Sequence, residues 1–147
     1  MHHPPCPPAP PVPPPSQHPH DGKTECNTRD KRRQWYAWDL KTYEVAPTRY
    51  SLRHGNSDPD YSLRHWRLEG SDDGETWTTL STHSDDGSLG GKGPGEYGGF
   101  KTASWELPGL ARRFFRHFKI VQTGKNSSGY DHLWIAGFEL YGGVRRM

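Results

Sequence analysis

Every Trp, Tyr and Phe of this 147-residue chain lies beyond residue 34, whereas ten of its 14 prolines fall between Pro4 and Pro19. That segregation limits what the chain can fold into. The run PPCPPAPPVPPP favours polyproline II and cannot pack as a core. Residues 1–22 are therefore expected to be a disordered Pro-rich tail, either a docking ligand for SH3 or WW modules or a bare tether. The aromatic remainder has to carry the fold. Leu, Ile, Val and Phe number only 21, which is low for a globular chain. Disorder, however, pairs low hydrophobicity with high net charge and few aromatics, and here the net charge is +2 and aromatics make up 12%. A single aromatic-cored domain over residues 23–143 follows, with 144–147 as a short basic tail. The 19 basic and 17 acidic residues leave no excess charge to seek a polyanion, so no nucleic-acid partner is expected. No apolar run approaches the ~20 residues of a membrane span, so no membrane partner is expected either. Met1 is followed by His and Pro rather than by a signal peptide. Cys6 and Cys26 both precede the aromatic region, match no zinc spacing and are expected to be free thiols of a reducing compartment. The expected location is the cytoplasm, with the nucleus as the alternative.

Segments of strand composition recur beyond residue 34, at 35–40, 44–53, 65–70, 75–83, 101–107, 113–123 and 133–141, with turn signals between them. In the sixth, Phe114, Arg116, Phe118 and Ile120 share one face. In the last, Leu133 and Ile135 fall out of step with Phe138 and Leu140, which predicts a β-bulge at Ala136-Gly137. Ser71-Asp72-Asp73-Gly74 reads as a tight hairpin turn. Residues 84–99 hold seven glycines and read as a long flexible loop, and Asn126-Ser127-Ser128-Gly129 as a turn. No stretch carries a capped 3.6-residue period. Many short strands at this spacing predict an all-β, antiparallel sandwich or jelly roll. Trp66, Leu68, Trp77 and Leu80 are expected between the sheets, and Trp105 and Trp134 are likewise expected in the core.

The strings YSLRHG (50–55), HWRLEGSDDGETWTTLSTHSDD (65–86), ASWEL (103–107), FRHFKIVQTGKNSSG (115–129) and GFELYG (137–142) occur in a consistent order. Together they resemble the discoidin-like (F5/8 type C) domain, most closely the intracellular version found in HECT-type E3 ubiquitin ligases and BTB/POZ proteins. The resemblance spans roughly residues 26–142. It implies a galactose-binding-like β-sandwich whose ligand site lies in the loops at one end. It also implies further strand sequence before Trp35, where this chain holds its proline tract. The absence of any Cys after Cys26 departs from secreted members, which tie their two ends with a disulfide, and agrees with the intracellular branch.

Two Arg-His pairs, Arg53-His54 and Arg64-His65, flank the polar turn GNSDPDYS. Such groups at strand ends can grip a carboxylate, a sugar hydroxyl or a phosphate, or can instead pair with Asp58, Asp60, Asp85 or Asp86 and only fix the loop. Arg53, His54, Asn56, Asp58, Tyr61 and Arg64 are the first candidate ligand-binding residues. Asp85, Asp86, Lys125, Asn126 and His132 are the second set, chosen by loop position alone. Asp72-Asp73 and Asp85-Asp86 lack the spacing of a calcium loop. No nucleophile with a paired base, phosphate loop or metal ligand set is visible, and His83 with Asp85 or His132 with Asp131 are too ordinary to mark an active site. The expectation is a non-catalytic recognition module with no cofactor and no metal. It would bind a protein or peptide partner, such as a ubiquitin-pathway substrate, through loops 54–64, 84–99 and 125–132. The alternatives are a carbohydrate-binding module using Tyr61, Tyr97 or Tyr130 as a platform, and a fragment of a larger enzyme.

Overall fold

The computed structural model describes residues 33–56, 60–90, 100–110 and 112–147. The Pro-rich tail, both cysteines, Asp58, Tyr97 and the position of the implied first strand lie outside the described residues. Within them, seven strands and no helix are present: β1 (Trp35–Asp39), β2 (Tyr43–His54), β3 (Trp66–Ser71), β4 (Thr78–His83), β5 (Thr102–Glu106), β6 (His117–Gln122) and β7 (Ile135–Arg146). They form a four-stranded sheet in the order β1-β6-β3-β4 and a three-stranded sheet in the order β5-β2-β7, with antiparallel pairing throughout. This is the all-β antiparallel sandwich expected from the alternating pattern.

Alternation decides which residues are inside. Tyr36 and Trp38 of β1, Phe118 and Ile120 of β6, and Trp66 and Leu68 of β3 are buried against Tyr50 and Leu52 of β2 and Phe138 of β7. The Trp38 and Phe138 rings stack across the two sheets with centroids 4.3 Å apart. Each such side chain contributes roughly 1.5–3 kcal/mol by leaving water.

The bulge predicted near Ala136 is present. Arg53 pairs with Gly137 but His54 with Ile135, so Ala136 is the extra residue. Other expectations need correction. β6 begins only at His117, and it is Phe115, bridged to Val45, that is buried against Phe118, while Phe114 lies beneath Arg145. Trp77 is not between the sheets. It lies on the outer face of the four-stranded sheet, where Lys119 Nζ sits 4.0 Å from its ring centroid and Glu69 is ion-paired with Arg67 and Lys119. Residues 144–146 are not a tail, because β7 stays paired with β2 as far as Arg146 opposite Tyr43.

The connections are unequal at the two ends. Of the described residues, 40–42, 72–77, 107–110 and 112–116 turn at one end; 55–56, 60–65, 84–90, 100–101 and 123–134 lie at the other. Asp72-Asp73 and Asp85-Asp86 consequently sit at opposite ends of the sandwich.

Candidate functional site

The loop end is pinned by hydrogen bonds between its segments. Ser128 Oγ accepts from the Tyr61 amide and Ser127 Oγ from the Ser62 amide, both at 2.9 Å, and the Ser127 amide donates to Ser62 O. Asn126 organises the second loop from within. It is buried, its Oδ1 accepts from the Ser128 and Tyr130 amides, and its Nδ2 donates to His132 O. These bonds satisfy backbone donors that the turn leaves without a sheet partner.

They hold four rings side by side. Tyr61 lies 5.7 Å from Tyr130, 6.2 Å from His132 and 5.7 Å from Trp134, measured between ring centroids. Tyr61 adopts a left-handed φ of 62°. Gly55 lets Trp134 come close: a Cβ at 55 would lie 2.4 Å from Trp134 Cδ1. The indole Nε1 of Trp134 is buried without a hydrogen-bond partner. Tyr130 is 45% exposed and forms the open side of the cluster. Beside it Lys125 Nζ donates to Asp131 Oδ2 at 3.1 Å.

A second network surrounds His83. His83 stacks on Trp66, with centroids 4.1 Å apart and planes at 12°. Its Nδ1 meets Asp86 Oδ2 at 2.9 Å, and the Tyr50 and Ser81 hydroxyls sit on Nε2 at 2.8 and 2.6 Å. With Asp86 accepting the Nδ1 proton, Nε2 has one lone pair and accepts from one of the two hydroxyls. Trp66 Nε1 donates to Tyr50 and Trp105 Nε1 to Asp86. Burial pushes His83 below its ordinary value against the pull of Asp86. Burial pushes the Tyr50 hydroxyl up to about 12. For Asp86 burial acts upward, but bonds from Ser88, His83 and Trp105 outweigh it and hold the carboxyl down. Ser81, His83 and Asp86 are ordered like a nucleophile, base and orienting acid. The Tyr50 hydroxyl shares Nε2, however, and Trp66 and Trp105 close over the imidazole, which makes this a structural network that joins the sheets.

The structure thus divides the sequence candidates. Tyr61 and His132 come together in the ring cluster, and Lys125 is paired with Asp131, the residue between Tyr130 and His132. His54 is fully buried. Asp86 and Asn126 spend their polar atoms inside the fold, and the partner of His83 is Asp86 rather than Asp85. Arg53 lies on the outer sheet face with its Nε donating to Phe100 O, and Asn56 O accepts from the Phe100 amide. Arg64 packs by Gly87 and Asp85. Trp134 is the residue assigned elsewhere by the sequence, although its position between Leu133 and Ile135, which share a face, already turns it away from the core.

No family model matches the chain. Among solved structures it is similar to a Clostridium perfringens module in complex with GalNAc-β-1,3-galactose, with TM-score 0.60 and 13% identity over 84% of this chain and 79% of that one. A family 32 carbohydrate-binding module of Streptococcus pneumoniae EndoD gives TM-score 0.57 and 11% identity over 81% and 75%. The fold is galactose-binding-like. At this identity the likeness carries the fold alone. In sequence, the galactose-binding-like chain is similar to the E3 ubiquitin-protein ligase Ufd4 of Drosophila melanogaster, 44% identical over 81% of this chain, and to the E3 ubiquitin-protein ligase hecd-1 of Caenorhabditis elegans, 42% identical over 81%. It is also similar to a BTB/POZ domain-containing protein of Arabidopsis thaliana, 32% identical over 76%. The chain spans only 4% of the length of each ligase and 13% of the BTB/POZ protein.

Proposed function

We propose that this domain holds a protein or peptide partner at its loop end and supplies substrate recognition to a ubiquitin-ligase-type protein of the cytoplasm or nucleus. One observation carries the reading. The Tyr61–Tyr130–His132–Trp134 cluster is mounted on loops fixed by side-chain hydrogen bonds, and Tyr130 opens to solvent beside a charged pair. Rigid aromatic anchors with a polar rim are what protein recognition uses. The kinship to ubiquitin ligases favours a protein ligand. A carbohydrate is the second reading, because an exposed Tyr can also stack on a sugar and the fold neighbours include a module solved with a disaccharide.

Capture from lysate with the full chain, beside Tyr130→Ser and a glycan array, separates them. A protein retained by the wild type and depleted about tenfold by Tyr130→Ser, with a blank array, is the expected result. Array binding with no Tyr130-dependent protein would overturn the protein reading in favour of the sugar.

A further inference from the structure

We propose that Arg64 is the receptor for a carboxylate of the bound partner, that Asp85 stands in for that carboxylate in the free protein, and that the segment recognised is therefore an acidic peptide. The proposal rests on the reading that the loop end takes a protein ligand, and names its chemistry.

A guanidinium presents five N–H donors in a planar fork matched to a carboxylate. Arg116, at the opposite end, shows the satisfied case: Nε and Nη2 donate to Asp39 Oδ1 and Oδ2 at 2.8 and 3.0 Å. Arg64 is far from that state. Its Nε is buried without a hydrogen-bond partner, although its side chain is only 26% exposed. Among the described residues its ion-pair partner is Asp85, which stands 4.0 Å from Nη1, beyond hydrogen-bond range, with a side chain 83% exposed. Buried donors are nearly always paired, so a half-buried fork with an unpaired Nε is an unmet demand for an acceptor.

Gly87 packs against one side of the fork, where a Cβ would come within 3.0 Å of Nη1, so an acceptor has to approach from the side of the exposed Asp85 carboxylate. The backbone around Asp85 is held: its amide donates to His65 Nδ1 at 3.1 Å, and the Asp86 amide donates to Arg64 O at 2.9 Å. Displacing the Asp85 carboxylate therefore needs only side-chain rotation. The nearby Asp86 is committed to His83, Trp105 and Ser88 and does not compete for the fork. An incoming carboxylate gains the bidentate geometry and must outcompete Asp85, whose charge otherwise repels it.

The test is a titration of the full chain with acetylated, amidated tetraglutamate, and with tetraglutamine as the neutral control. It is followed by NMR at the Arg64 Nε–Hε resonance, identified by its loss in Arg64→Lys. Tetraglutamate should move that resonance and tetraglutamine should not. Arg64→Gln should weaken tetraglutamate binding about tenfold. Asp85→Asn should tighten it severalfold; Asn tolerates the left-handed φ of 51° at this position, so the loop is retained. Near-UV circular dichroism reports that each variant is folded. Equal shifts from both peptides, or an affinity untouched by Asp85→Asn, would overturn the proposal. If Tyr130-dependent capture stands while tetraglutamate moves nothing, the carboxylate receptor falls and the protein reading survives. Loss of both removes the protein reading itself.

Discussion

At the scale of single residues, His83 joins the two sheets: it stacks on Trp66 of one and bonds Tyr50 of the other. Its folded value lies below 6.5 because of burial. As pH falls below 6.5 the unfolded chain therefore takes up the proton first. The contribution of His83 to stability is complete above 6.5 and is lost as pH falls through the lower folded value. Urea midpoints should drop between pH 7.5 and 5.5 in the wild type and less in His83→Gln, which should itself lose about 1–3 kcal/mol at pH 7.5. Equal pH dependence in both chains would contradict this. Gly55 makes a second residue-level case. Gly55→Ala forces a methyl into Trp134 and the Ile135 amide and should cost about 1–3 kcal/mol, read as a lower melting temperature. An unchanged melting temperature would show that Trp134 is free to move. Residue roles were the least legible part of the sequence. Asp85 and Asp86 are adjacent and identical in type, and only the turn geometry decides that one points to His83 and the other to solvent.

At the scale of elements, strand positions and one bulge were readable, because alternation and turn chemistry are local. The β3–β4 hairpin is the clearest example. Asp73 Oδ1 accepts from Ser71 Oγ and from the Glu75 and Thr76 amides, and those backbone bonds lower its carboxyl to about 2, while Gly74 takes a φ of 77°. Its carboxylate contributes to stability above the ordinary value of 3.8, and that contribution is lost as pH falls through about 2. Asp73→Ala should lower the urea midpoint at pH 7 and speed amide exchange at Glu75 and Thr76. Unaltered exchange there would contradict the capping role. What misled at this scale was Trp77. Its spacing from Trp66 and Leu68 suits the core, but it falls just before β4 begins at Thr78, and Leu80 is an extra residue between the pairs Leu68–Ser81 and Glu69–Thr79. A one-residue slip reverses the face of a side chain, and nothing in the local pattern announces it.

At the scale of the whole molecule, the sandwich separates its scaffold from its site. The core closes through contacts such as Trp38 on Phe138, whereas the 60–65 and 123–134 segments meet at one end and present Tyr130. Phe138→Ala should therefore cost about 3–5 kcal/mol, and Tyr130→Ser should stay within about 0.5 kcal/mol of the wild type. Comparable losses from both would mean that the ring cluster belongs to the core. The fold class and the end that carries the loops were legible because they follow from strand count and connection length. The ring cluster was not, because Tyr61 and Trp134 meet only through the register of β2 and β7 and the Ser127 and Ser128 bonds. The most direct test of the central claim places a photo-crosslinking amino acid at position 130, and in a second chain at position 75 on the opposite end, in cells that express the full protein. Protein adducts at 130 and none at 75 are predicted. Adducts at 75 with none at 130 would contradict the assignment of recognition to the loop end.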